Sequence, residues 1–146
     1  MEKWNSYTMI IIDSNIYVAY FNKRDKNHSR SKNLVKNLLK GEYGNRFTIS
    51  EVFSEVSTIL FRQTQNMEIV KKAWKTIYEK ETSWAFPIIV TKDLISNAWD
   101  IFTKYTTSKV PLSFVDCLLI STARNNSISS ILSFDSEFDG ILIRHS

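Results

Sequence analysis

Ile10–Asn15 reads IIIDSN: three β-branched residues run straight into Asp13, Ser14 and Asn15. A short unbroken apolar run of this kind reads as a strand buried on both faces of a sheet. A carboxylate directly at its C-terminal end lies where open α/β sheets bind their ligands. The pattern returns near the other end of the chain, where Ser130–Phe134, SILSF, runs into Asp135. Two strands that each deliver an aspartate at the tip predict two carboxylates facing one crevice.

Outward from the first strand, Ser14–Phe21 is expected to be a short helix, broken by the polar Asn22–Asn27. Ser29–Tyr43 places Leu34, Val35, Leu38 and Leu39 at helical spacing with lysines opposite, and Gly41 and Gly44 close it. Arg46–Ser50 predicts a second strand. Glu51–Gln65 and Met67–Lys80 predict an antiparallel helix pair, with Val52, Val56, Ile59 and Leu60 on one side of the first. Phe86–Val90, FPIIV, predicts a third strand and Lys92–Tyr105 a further helix. Ser113–Asn125 is nearly apolar all round, so it is expected to be buried. After the strand to Phe134 come a turn through Ser136–Gly140 and a last short strand, Ile141–Ile143. Strands alternating with helices predict the α/β class, with a mostly parallel sheet covered by helices.

The chain of 146 residues is the length of one domain, 1–146, with no internal repeat or boundary. Its 43% apolar and 13% aromatic residues supply a core, and three Gly and two Pro argue against a long disordered linker. The lone Cys117 excludes an internal disulfide and fits a reducing compartment. No run approaches the ~18 apolar residues of a membrane helix. The start, MEKWNSYT, lacks the apolar core of a signal peptide. The expectation is a soluble cytoplasmic protein with no membrane partner.

The net charge of +4 is unevenly spread: residues 1–75 hold 13 Lys/Arg against 7 Asp/Glu, whereas residues 76–146 hold 6 against 8. Lys23–Lys40 alone carries seven basic residues against Asp25. Such a stripe is a polyanion footprint or simply a solvated helix face. Lys23, Arg24 and Lys26 are its candidate nucleic-acid contacts.

Asp116 sits inside the apolar helix, where an unpaired carboxylate costs several kcal/mol. With Ser113 as N-cap, Asp116 falls at the third helical position, where an acid reaches back to the cap. Taken alone, that structural role suffices for Asp116. Asp13 and Asp135 have equivalent roles as caps. The joint pattern says more: acids at two strand ends and in the first turn of a buried helix meet at one edge of such a sheet. Glu51 and Glu55, one helical turn apart, add a fourth carboxylate. Clustered carboxylates persist when a cation occupies their centre, and oxygen ligands without paired His or Cys suit Mg²⁺ or Mn²⁺. Such ions activate water and stabilise a leaving oxygen in phosphodiester cleavage.

Three stretches, IIIDSNIYVAYF, TISEVFSEVSTILFR and PLSFVDCLLISTARNNSISSILSFDSEFDGI, resemble the PIN domain family, in particular the VapC-type toxins of bacteria and archaea. Their order covers nearly the whole chain. The resemblance implies a three-layer α/β/α sandwich, Rossmann-like, with four acids: Asp13, Glu55 (in Val52–Glu55), Asp116 (in Ser113–Asp116) and Asp135 (in Ser133–Phe138). It implies support from Asn15, Ser14 and Ser133, with Ser133 in place of the commoner Thr; Asp139, which follows Phe138, fits a turn residue better than an outer ligand. Asp25–His28 resembles the family's D-x-x-H, in which His28 fits a helix start better than a ligand. The implied activity is a Mg²⁺- or Mn²⁺-dependent endoribonuclease that leaves a 5′-phosphate and a 3′-hydroxyl on transfer or ribosomal RNA. The implied partners are RNA, a small cognate antitoxin that inserts an Arg or Lys, and a second copy in a homodimer.

Two other readings compete within this fold: a catalytically silent nucleic-acid-binding protein and a DNA-directed nuclease. An aspartate phosphatase or phosphoacceptor fits less well. Asn15 stands where that chemistry wants a second acid, and Ile141–Ile143 carries no Lys.

Overall fold

A computed structural model describes residues 8–146. Residues 1–7, most of the segment read as lacking a signal-peptide core, lie outside them. The chain runs β1 (Met9–Ile12), α1 (Ser14–Phe21), α2 (His28–Leu39), β2 (Asn45–Ile49), α3 (Ser50–Thr64) and α4 (Met67–Ile77). It continues through β3 (Phe86–Ile88), α5 (Lys92–Tyr105), α6 (Phe114–Asn125), β4 (Ser130–Leu132), a 3₁₀ turn at Ser136–Phe138 and β5 (Ile143–His145).

The five strands form one parallel sheet in the order β3-β2-β1-β4-β5. β1 is central, and Ile10, Ile11 and Ile12 are fully buried, as a strand covered on both faces requires. From β1 the chain goes first to β2 and β3 on one side and only later to β4 and β5 on the other. The order therefore reverses between β1 and β4, and such a switch point opens a crevice at the carboxyl ends of the strands. Ile12 pairs with Leu132, so the next residues, Asp13 and Ser133, leave the sheet side by side. α6 is buried from Asp116 through Ala123, in keeping with its all-round apolar sequence. α1 is fixed at its base by Trp84, whose ring stacks on Tyr17 at 5.1 Å and on Phe21 at 5.8 Å.

Several boundaries differ from the sequence expectation. The last strand is Ile143–His145, not Ile141–Ile143. The amides of Ile141 and Leu142 both return to the Phe138 carbonyl, closing a turn, and Leu142 fills the core from that turn. α2 ends at Leu39 rather than Tyr43. Gly44 then turns with φ +78°, and a β-carbon there would stand 2.1 Å from the Thr8 carbonyl oxygen, so only glycine fits. α4 stops at Ile77, and β3 is a three-residue edge strand with Phe86 two-thirds exposed. β4 stops at Leu132; the Ser133 amide still donates to the His145 carbonyl at 3.1 Å, while the Phe134 amide turns to the Asn15 side chain.

Candidate active site

A crevice of about 580 Å³ opens at the carboxyl end of β1 and β4. Asp13, Glu55, Asp116, Asp135 and Glu137 all line it, brought by β1, α3, α6 and the 3₁₀ turn after β4. Carboxylate oxygens of Asp116, Asp135 and Glu137 lie within 4.8 Å of one another.

Asp13 caps α1: its Oδ1 accepts the Ser14 amide at 2.7 Å, while its Oδ2 accepts the Ser133 hydroxyl at 2.7 Å. Ser133 is fully buried and uses its whole hydroxyl, since its oxygen also accepts the Asp135 amide at 3.0 Å and the Asn15 side-chain amide at 3.2 Å. Asn15 in turn accepts the Phe134 amide at 3.2 Å. The first strand's tip is thereby laced to the fourth's. Ser14 donates its hydroxyl to Glu55 Oε2 at 2.7 Å, tying α1 to α3.

Asp116 both caps α6 and lines the crevice. Ser113 and Asp116 form a reciprocal capping box: the Ser113 oxygen accepts the Asp116 amide at 3.0 Å, and Asp116 Oδ2 accepts the Ser113 amide at 2.8 Å. The other oxygen, Oδ1, accepts no hydrogen bond from the described residues. The cap holds the carboxylate at the crevice wall rather than competing with it.

Burial dominates the electrostatics. It pushes Asp13 up to about 7, against the Ser133 hydrogen bond, with the charges of Asp116 and Glu55 adding to the rise. Burial likewise pushes Asp116 up to about 6, opposed by Ser113 and helped by Asp135 and Glu55. Glu137 is raised by burial and then by Asp135. Carboxylates that resist ionisation because they are buried, and in lesser part because they face one another, are the group a cation relieves. The donors are all oxygens, the set a hard divalent ion takes. The residues therefore fit Mg²⁺ or Mn²⁺.

Glu51 does not line the crevice; its carboxylate accepts the Ser50 hydroxyl at 2.9 Å. Asp139 also lies apart, paired with Arg144 at 2.7 and 3.1 Å, and that guanidinium holds its carboxyl below the usual range. The His28 ring binds the Ala19 carbonyl at 2.8 Å at the start of α2. Lys23 and Arg24 line a separate cavity; Lys26 is exposed and does not. The residue that sequence reasoning missed is Glu137. It follows Asp135 by two residues in a 3₁₀ turn, and the Glu137 amide donates to Asp135 Oδ1 at 2.9 Å. An acid two residues after a strand-end aspartate was the available signal.

The family comparison agrees with this geometry: the PIN domain family matches residues 10–141. The chain belongs to the PIN domain family. Among solved PIN-fold neighbours, VapC20 of Mycobacterium tuberculosis, described as a sarcin-ricin loop cleaving toxin, superposes with a TM-score of 0.76 at 23% identity. It covers 88% of this chain and 92% of its own. FitAcB from Neisseria gonorrhoeae gives 0.67 at 12% identity, covering 94% and 97%. VapBC2 from Rickettsia felis, bound to a DNA fragment from its promoter, gives 0.64 at 13% identity with the same coverage. These identities show a shared fold. No curated protein sequence matches the chain at a significant level. No helix among the described residues is long and apolar enough to cross a membrane.

Proposed function

We propose that this PIN domain is a metal-dependent endoribonuclease and the toxin of a toxin–antitoxin pair. The observation that carries the reading is the convergence of Asp13, Glu55, Asp116, Asp135 and Glu137 from four elements on one crevice. Asp116, Asp135 and Glu137 are the residues assigned to hold a divalent cation, with Asp13 and Glu55 completing the site. When bound, Mg²⁺ or Mn²⁺ supplies a polarised water and a counter-charge for the phosphate oxygens. The chain's own residues do the rest. Ser133 and Ser14 fix Asp13, the Ser113 cap fixes Asp116, and the buried carboxylates keep the site selective for cations.

The family membership supports phosphodiester hydrolysis, and the VapC20 description as a sarcin-ricin loop cleaving toxin supports an RNA substrate. The likeness to VapBC2 and FitAcB supports a cognate antitoxin as partner. The reading extends to one PIN domain over the chain, a cytoplasmic location, transfer or ribosomal RNA as target, and a homodimer. The apolar face formed by Ile95, Trp99 and Phe114, all substantially exposed, supports a second copy as partner.

The test is cleavage of transfer and ribosomal RNA by the purified protein with Mg²⁺, Mn²⁺ or chelator. Cleavage that needs the metal and is lost in Asp13→Asn and Asp135→Asn supports the reading. Cleavage that persists in chelator and in both variants contradicts it, and metal-dependent cutting of DNA alone favours the DNA-directed alternative.

A further inference from the structure

α1 and α3 leave the carboxylate crevice together. Near its start α1 is tied to α3 by Ser14 and Glu55, and at the far end Asn22 donates to Gln63 at 2.8 Å. Each pair of ties is separated by eight residues, about 12 Å of helix at ~1.5 Å per residue. At that far end lies a cavity of about 760 Å³, whose walls include Lys23, Arg24, Lys32 and Lys72. A second cavity of about 540 Å³ continues along α2 past Lys36 and Lys40. The two share Tyr20 and Lys32 as a common wall.

No acidic side chain lines either cavity. Among the described residues the only ion pairs are Lys71–Glu68 and Arg144–Asp139, so all six groove cations lack a carboxylate partner. Like charges gathered around concave walls focus a positive potential. Lys32 and Lys36 on α2 and Lys40 at its C-cap stand four residues apart, one above another at intervals of about 6 Å. The hydroxyl of Tyr20 has no hydrogen-bond partner among the described residues, and its half-buried ring packs edge-on against Trp84. A row of unpaired cations beside an aromatic residue with a spare hydroxyl matches a phosphate backbone with its bases better than an apolar peptide.

We propose that this two-cavity groove is a binding subsite for single-stranded RNA flanking the scissile phosphate. It rests on the ribonuclease reading of the crevice and adds to it. Lys72 comes from α4, outside the basic stripe of the sequence, and Lys26 is excluded from the groove. The ~12 Å of helix from the Ser14–Glu55 tie, at the crevice, to the Asn22–Gln63 tie, at the groove, corresponds to about three or four stacked nucleotides at ~3.4 Å each. The groove therefore selects substrates with an unpaired strand on one side of the cut.

The test is fluorescence anisotropy with an end-labelled 12-nucleotide single-stranded RNA over a salt series. The full chain carries Asp13→Asn so that nothing is cut. Lys32→Gln, Lys36→Gln and Lys72→Gln are combined and compared with a control of equal charge, Lys75→Gln, Lys92→Gln and Lys109→Gln. The groove triple is expected to lose about tenfold or more in affinity at low salt and to lower the slope of log K against log salt by about 2, the value for three phosphate contacts to a single strand. Lys→Arg at the same three positions is expected to restore binding. A groove triple that binds like the control overturns the proposal, as does a Glu-rich 12-residue peptide that responds to the triple while RNA does not. In either case metal-dependent cleavage by the protein with Asp13 intact leaves the ribonuclease reading standing; absence of both binding and cleavage removes both.

Discussion

Ser133 has one hydroxyl and three partners: it donates to Asp13 and accepts from the Asp135 amide and from Asn15. Ser133→Ala leaves the buried Asp13 oxygen and two donors unsatisfied, so a loss of about 1–3 kcal/mol is expected in urea denaturation, together with weaker metal binding. Asp116 responds in the opposite direction. Burial and neighbouring carboxylates make its ionised form unfavourable in metal-free protein, and Asn keeps an oxygen that accepts the Ser113 amide. Asp116→Asn is expected to raise the melting temperature in chelator, abolish cleavage and lose most of the stabilisation by Mg²⁺. A variant that melts lower yet gains as much from metal places Asp116 outside the site. Glu55→Gln is expected to cost about 100-fold or more in metal affinity or activity, at the upper end for metal-site partners. Glu51→Gln, whose carboxylate is turned to Ser50, is expected to cost little; equal losses contradict the assignment.

Among the elements, β1 and β4 were the most legible because an apolar run ending in an acid has one natural place in a parallel sheet. α6 was legible for the same reason, since a helix apolar all round has nowhere to go but inside. The Glu51–Glu55 choice was not decided by spacing, since neighbours four apart share a face; the family resemblance selected Glu55, and its hydrogen bond from Ser14 accords with that selection. Glu137 and the register of β5 stayed hidden because both depend on a 3₁₀ turn, which has no hydrophobic period. The apolar Ile141 and Leu142 mimic a strand, but that turn spends them on its own closure and on the core. The turn before β2 depends on Gly44 in a way that can be measured. Gly44→Ala forces a β-carbon into the Thr8 carbonyl at a left-handed φ. A loss of about 1–3 kcal/mol is expected from the strained backbone, with metal affinity of the folded fraction unchanged because the crevice lies at the opposite edge of the sheet. A neutral substitution contradicts the close approach.

For the molecule as a whole, the crevice makes stability depend on pH and on metal together. Asp13 and Asp116 are raised from 3.8 to about 7 and about 6, so the folded protein binds more protons than the unfolded chain between those values. Stability therefore falls as pH rises through that window: the two acids cost nothing below about 4 and exert their full cost above about 7. In chelator the melting temperature is expected to decline between pH 4 and pH 8, and in Mg²⁺ the decline is expected to flatten, because the cation binds the ionised carboxylates. A melting temperature in chelator that rises through the same window contradicts the burial and crowding that raise Asp13 and Asp116 in the crevice. The most direct measurement is anomalous X-ray diffraction from crystals soaked in Mn²⁺. A manganese peak is predicted within coordination distance of Asp116, Asp135 and Glu137, and it is predicted to vanish in Asp116→Asn. A strong Mn²⁺ peak elsewhere in the molecule, with none among these carboxylates, would contradict the metal-dependent site.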